Sequence, residues 1–150
     1  MSNIDAILND LYNPDRLLIL SALRSLRTVQ MDYREHTEEL LAILVRGIAT
    51  RDNELLWGAA HALSIGGDKS AASALYDIWR VLSPLFPDLN ADSMRGWCWQ
   101  VVGVAMISLM DQSDCEALVA TGDPYQRSLA EFRLFRGDEM QRFWTMGPGL

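Results

Sequence analysis

The sequence predicts an all-α protein, a row of helix–turn–helix units without strands. Three observations carry this. Apolar residues recur at intervals of three and four instead of alternating, as one face of an α-helix requires. Capping residues punctuate the chain at short distances. One apolar pattern returns 37 residues after its first appearance, Ile19, Ala22, Leu23 and Leu26 becoming Leu56, Ala59, Ala60 and Leu63. A helix pair repeated at such a period cannot bury its apolar face alone and must stack on its neighbours.

In chain order, the first segment, "MSNIDAILNDLY", is amphipathic and acidic and lacks the basic-then-apolar layout of a secretion signal. Asn13 is read as an N-cap with Pro14 at the first helical position, where proline's missing N–H costs nothing. Asp32 with Glu35 has capping-box spacing and opens a helix faced by Leu41, Leu44, Val45 and Ile48. Asp52 starts the next helix, Gly66 or Gly67 is expected to end it in the left-handed conformation, and Asp68 caps a helix faced by Ala72, Leu75, Tyr76 and Trp79. These two are expected to pack as one pair. Two prolines break the chain in "SPLFPDLN", and Leu85, Phe86 and Leu89 are expected to fold back over the groove between two units. Asp92 precedes a helix faced by Val102, Ala105, Met106 and Leu109. Its apolar run from Trp97 to Met110, about 14 residues, is shorter than the roughly 20 a membrane span needs. Ser113 with Glu116 repeats the capping-box spacing, and Asp123-Pro124 with Gln126 starts a last helix faced by Tyr125, Ser128, Leu129 and Phe132. Residues 1–150 read as one domain, with 145–150 as a flexible tail.

The stretch "DNELLWGAAHALSIGGDKSAASAL" (Asp52 to Leu75) resembles a HEAT-like repeat: a starting aspartate, an alanine pair, Ala-Leu, Ile-Gly, then Gly-Asp and Ala-x-x-x-Leu. "NPDRLLILSALRSL" resembles a looser copy, and two segments after Asp92 resemble degenerate third and fourth repeats. The arginine that such repeats often carry in the middle of the first helix is replaced by Leu55 and Leu56. The resemblance implies a short right-handed α-solenoid of about four helix pairs. It also implies a concave surface lined by the second helix of each pair, here Glu35, Glu38, Glu39, Ala42 and Arg46, then Ser73, Asp77 and Arg80, then Glu116.

Thirteen basic residues face 20 acidic ones, a net charge of −7, which repels nucleic-acid phosphates. Cys98 and Cys115 have no C-x-x-C spacing and are expected as reduced thiols of a cytoplasmic protein. "SIGGDKS" gathers the residue types of a phosphate loop but not its G-x-x-x-x-G-K-[ST] order. His61 has no ligand partner at i+4 and is expected to be structural; whether it faces a seam or solvent is left open. His36, beside Glu38 and Glu39, reads as part of a solvated charged face ahead of a metal site. Trp97 and Trp99 point about 200° apart on a helix, so one of them is a candidate interface anchor, and Trp99 joins the partner-binding set.

No catalytic, metal or cofactor constellation emerges. The function expected is therefore a non-catalytic protein-binding module whose acidic surface docks a basic protein, as an adaptor or an inhibitor such as a toxin-neutralising immunity protein. Neither nucleic acid nor membrane is an expected partner. The alternatives are a tetrapyrrole-handling, lyase-like subunit, which the HEAT-like resemblance implies, and a structural homo-oligomer such as a homodimer.

Overall fold

The computed structural model describes residues 3–28, 32–82 and 93–145. Their regular elements are all helical: α1 (Asn3–Asp10), α2 (Arg16–Thr28), a 3-10 turn (Arg34–His36), α3 (Thr37–Ala49), α4 (Asn53–Gly66), α5 (Ala71–Leu82), α6 (Ser93–Leu109), α7 (Gln112–Thr121) and α8 (Pro124–Thr145). The loop containing Leu85, Phe86 and Leu89, the cap Asp92, the side chains of Trp97, Trp99 and Tyr125, and residues 146–150 lie outside the described residues. None of the described helices is long and apolar enough to cross a membrane.

The centre of the packing is α4. Residues 55–60, then Ala62 and Leu63, are all buried. A helix apolar on every side needs neighbours on several sides, and α2, α3 and α6 supply them. The even-numbered helices neighbour one another in the order α2, α4, α6, α8, while α3, α5 and α7 each pack chiefly on the even-numbered helix that follows. One apolar cluster runs through these layers from Leu11 to Trp144.

The pairing differs from the expected one, since α4 packs back on α3 rather than forward on α5. The reason lies at the α3–α4 turn. Arg51 takes a left-handed φ of 56°, the Asp52 N–H donates to the Gly47 carbonyl at 2.8 Å, and the chain reverses within three residues. Gly47 then lets the helices touch backbone to backbone: a Cβ there would stand 2.6 Å from Leu56 N. This contact also turns α3 about its axis. It buries Leu40, Ile43, Leu44 and Gly47, whereas Val45, expected inside, is 48% exposed.

The apolar face of α2 (Ile19, Ala22, Leu23, Leu26) and that of α4 (Leu56, Ala59, Ala60, Leu63) are buried as expected. On α5, Ala72, Leu75 and Trp79 are buried and Tyr76 partly so. On α8, Leu129 and Phe132 are partly buried against the core as expected, Ser128 is exposed, and Gln126, Ala130 and Trp144 are buried.

Caps divide the same way. Asp123 and Gln126 form the expected reciprocal pair, the Gln126 N–H donating to Asp123 Oδ1 at 2.8 Å and the Asp123 N–H to Gln126 Oε1 at 2.9 Å. Asp52 accepts from the Leu55 N–H at 3.3 Å as the cap of α4. Asn13 instead accepts from the Asp15 N–H, and Asp15 accepts from Leu17, so α2 begins at Arg16. Asp32 accepts from the N–H of Arg34 and pairs with its guanidinium, and Glu35 closes no box. On α7 the box is made by Asp111 and Asp114, two residues ahead of the expected Ser113 and Glu116. Lys69 decides this: its ammonium lies 2.7 Å from Asp111 and 3.0 Å from Asp114, which makes Asp111 the fixed point of the turn. That ion pair holds the Asp111 carboxyl down at about 2.

The α4–α5 joint is a helix end and not a phosphate loop, with Gly67 extended at φ −72° rather than left-handed. Gly66 serves packing. A Cβ there would sit 2.5 Å from the ring of Tyr33, whose hydroxyl donates to the Ala62 carbonyl at 2.7 Å. Polar ties also link elements far apart in sequence. Arg16 reaches Asp52 at 2.5 Å and Glu54 at 3.0 Å, joining the starts of α2 and α4.

Candidate functional site

Among the expected partner-binding residues, Glu35, Glu38, Ala42, Arg46, Ser73, Asp77, Arg80 and Glu116 are exposed and Glu39 is half-buried; the Trp99 side chain lies outside the described residues. The fold brings three of them together. Glu39, Ala42 and Arg46 line a cleft of about 270 Å³ with Leu11, Tyr12 and Pro14, where the α1–α2 connection crosses α3. Tyr12 stands 55% exposed at its edge. Its hydroxyl lies 2.7 Å from His36 Nδ1, so the histidine is held by a tyrosine rather than by Glu38 or Glu39. Ser73 belongs to a separate cleft with Tyr76, Met110 and Leu118, and Asp77, Arg80 and Glu116 stand apart from both.

Charge is unevenly used on this surface. Asp32, Asp52 and Asp111 are each engaged by an arginine or lysine. Glu35, Glu38, Glu39 and Asp77 make no ion pair among the described residues. Their charge does not stabilise the fold through pairing and is directed at solvent.

A second constellation has weaker roots in the sequence. Trp57 and His61 are four residues apart on one face of α4, and their rings meet edge to face at 5.0 Å. Trp144 arrives from the last turn of α8 and stacks on His61 at 4.7 Å with an interplanar angle of 5°. It can do so because α8 is bent: Arg136 has non-helical φ/ψ of −138° and 39° beside Gly137, which splits the helix into two arms. The Arg27 guanidinium lies over the Trp57 ring, 4.6 Å from its centroid. His61, Ser64 and Ile65 of α4, Ser108 of α6, and Arg133, Gly137 and Trp144 of α8 surround a cleft of about 420 Å³.

His61 thus packs in a seam and also lines a cleft. Its Nδ1 is buried without a hydrogen-bond partner. Burial, and then the nearby Arg27 charge, push its pKa from 6.5 down to about 4. The sign of the stability effect follows from linkage. Between these two values the unfolded chain carries a proton that the folded chain lacks, so stability rises with pH there and is lost as pH falls. Relative to His61→Phe, the wild type is expected to lose about 1–2 kcal/mol between pH 7 and 4.5, less than the full shift because the side chain is only partly buried. Denaturant melts of both proteins at the two pH values check this, and a stability difference that stays constant with pH contradicts it.

Ser64, Ser108, Arg133 and Trp144 carried no site reading in the sequence. Trp144 stands 83 positions from His61, and only the bend in α8 joins them. Among the described residues no group of three or more His, Cys, Asp or Glu side chains could hold a metal ion. Cys98 and Cys115 are buried, and burial raises the pKa of Cys115. Set against known protein families, curated proteins and solved structures, the chain matches none of them.

Proposed function

We propose that the chain is a short HEAT-like α-solenoid that binds a basic protein without catalysing a reaction, as an adaptor or as an inhibitor of the kind that neutralises a toxin. The observation that carries this reading is the cleft of Glu39, Ala42 and Arg46 beside the half-exposed Tyr12, with Glu35 and Glu38, which make no ion pair among the described residues, nearby in the chain. Tyrosine and arginine are common anchors of protein interfaces. Carboxylates without internal partners raise the encounter rate with a cationic surface. The order α2, α4, α6, α8 with the odd-numbered helices packed alongside supports the solenoid arrangement.

Capture of the tagged chain from its source cell, followed by light scattering on the complex, tests the proposal. The expected result is one basic protein in fixed ratio, released as salt shortens the Debye length from about 10 Å at 0.1 M to about 3 Å at 1 M. A complex made only of copies of this chain, or a partner held equally well at both salt concentrations, overturns it.

A further inference from the structure

We propose that the cleft between α4, the end of α6 and the two arms of α8 binds a small organic carboxylate, with Arg133 taking the carboxylate group. The site is separate from the acidic face and does not rest on the protein-binding reading. Its volume of about 420 Å³ falls within the roughly 300–1,000 Å³ of small-molecule sites.

The charge pattern selects the ligand. Arg133 is the charged residue lining the cleft among those described; it is half-buried and makes no ion pair among the described residues. Glu139, six residues on, is taken elsewhere, since it pairs with Arg136 across the bend at 3.6 Å. Cys115, which feels the Arg133 charge, is a buried thiol whose pKa is raised by burial, so it supplies no counter-charge. A guanidinium recessed in a cleft without an anion is a fork matched to a carboxylate.

The remaining walls define the rest of the molecule. The Ser64 hydroxyl donates to the His61 carbonyl at 2.7 Å and the Ser108 hydroxyl to the Val104 carbonyl at 2.7 Å. Each has spent its proton and can only accept, which suits a ligand carrying a hydroxyl or amino donor. His61 lines the cleft while its Nδ1 is sealed away, so its contact with a ligand falls to Nε2. Trp144 and Ile65 add apolar wall. The class is therefore a small hydroxy- or amino-carboxylic acid with a flat or apolar body.

Calorimetric titration with 4-hydroxybenzoate tests this, with 4-hydroxybenzamide as the uncharged control and with the Arg133→Met variant, which keeps the aliphatic stem. Saturable binding of the acid, no detectable binding of the amide, and at least about a tenfold loss in Arg133→Met are expected. Circular dichroism melts of the variant establish that it is folded, and Arg133→Lys, which keeps the charge but not the fork, is expected to fall between the two. No saturable binding of 4-hydroxybenzoate to the wild type, equal binding of the amide, or an unchanged affinity in folded Arg133→Met would each overturn the proposal.

Discussion

Gly47→Ala is expected to destabilise the protein by about 3 kcal/mol, at the upper end for overpacking, although it adds a single methyl group. Most added methyls meet side chains that can swing away. This one meets Leu56 N at 2.6 Å, Leu56 Cα at 2.9 Å and the Asp52 carbonyl at 3.1 Å, all backbone of the turn into α4. Relief requires moving α3 away from α4, and α4 is the helix on which α2, α3 and α6 converge. For a chain of 150 residues the midpoint of thermal unfolding should fall by roughly 6–12 °C. A calorimetric melt checks it, and a drop under about 2 °C would mean that the α3–α4 contact is looser than described.

Trp144→Ala should cost about 3–5 kcal/mol where its loss is felt by the whole fold. The ring is 4% exposed and touches His61, Trp57 and Phe143, and it pins the second arm of α8 after the bend at Arg136. The substitution has a second consequence. With its stacking partner gone, the His61 ring meets water and its pKa should climb from about 4 back toward 6.5. Proton NMR of the histidine ring reads this directly. A value still near 4 in a folded Trp144→Ala protein would show that Trp144 is not what shields His61.

The face of α2 was legible because its clean run of apolar residues at 0, +3, +4 and +7 leaves one orientation for the helix; α4 carries the same run and buries it, but is apolar on its other sides too. In α3 the run "LLAILVRGIA" is apolar on more than one side, so spacing allowed two rotations. Gly47, which carried no reading in the sequence, chose between them through its approach to Leu56. Capping shows the same limit. Asp123 and Gln126 have proline between them and no rival nearby, and they pair as read. Ser113 was read as the start of α7, and Lys69, 42 residues earlier in the chain, fixes the start at Asp111 instead by an ion pair that no local pattern contains.

The candidate sites divide likewise. Glu39, Ala42 and Arg46 follow one another at +3 and +4 along α3, so their common face was readable, whereas Tyr12 joins them by a chain crossing. The pair Trp57 and His61 lies at i, i+4 but carried no reading as a shared face, and Trp144 could not be joined to it because Arg136 bends a helix that the apolar pattern treats as straight.

The most direct test of the account is the dissociation constant of the purified basic partner for the wild type and for Glu35→Lys/Glu38→Lys/Glu39→Lys at low salt. Lysines at 38 and 39, in the first turn of α3, oppose the helix dipole and should cost about 1 kcal/mol of stability, which leaves a folded protein to measure. Docking through this face predicts a loss of about a hundredfold in affinity, equivalent to about 2.8 kcal/mol. An affinity unchanged by the three reversals, in a variant that melts cooperatively, would contradict it.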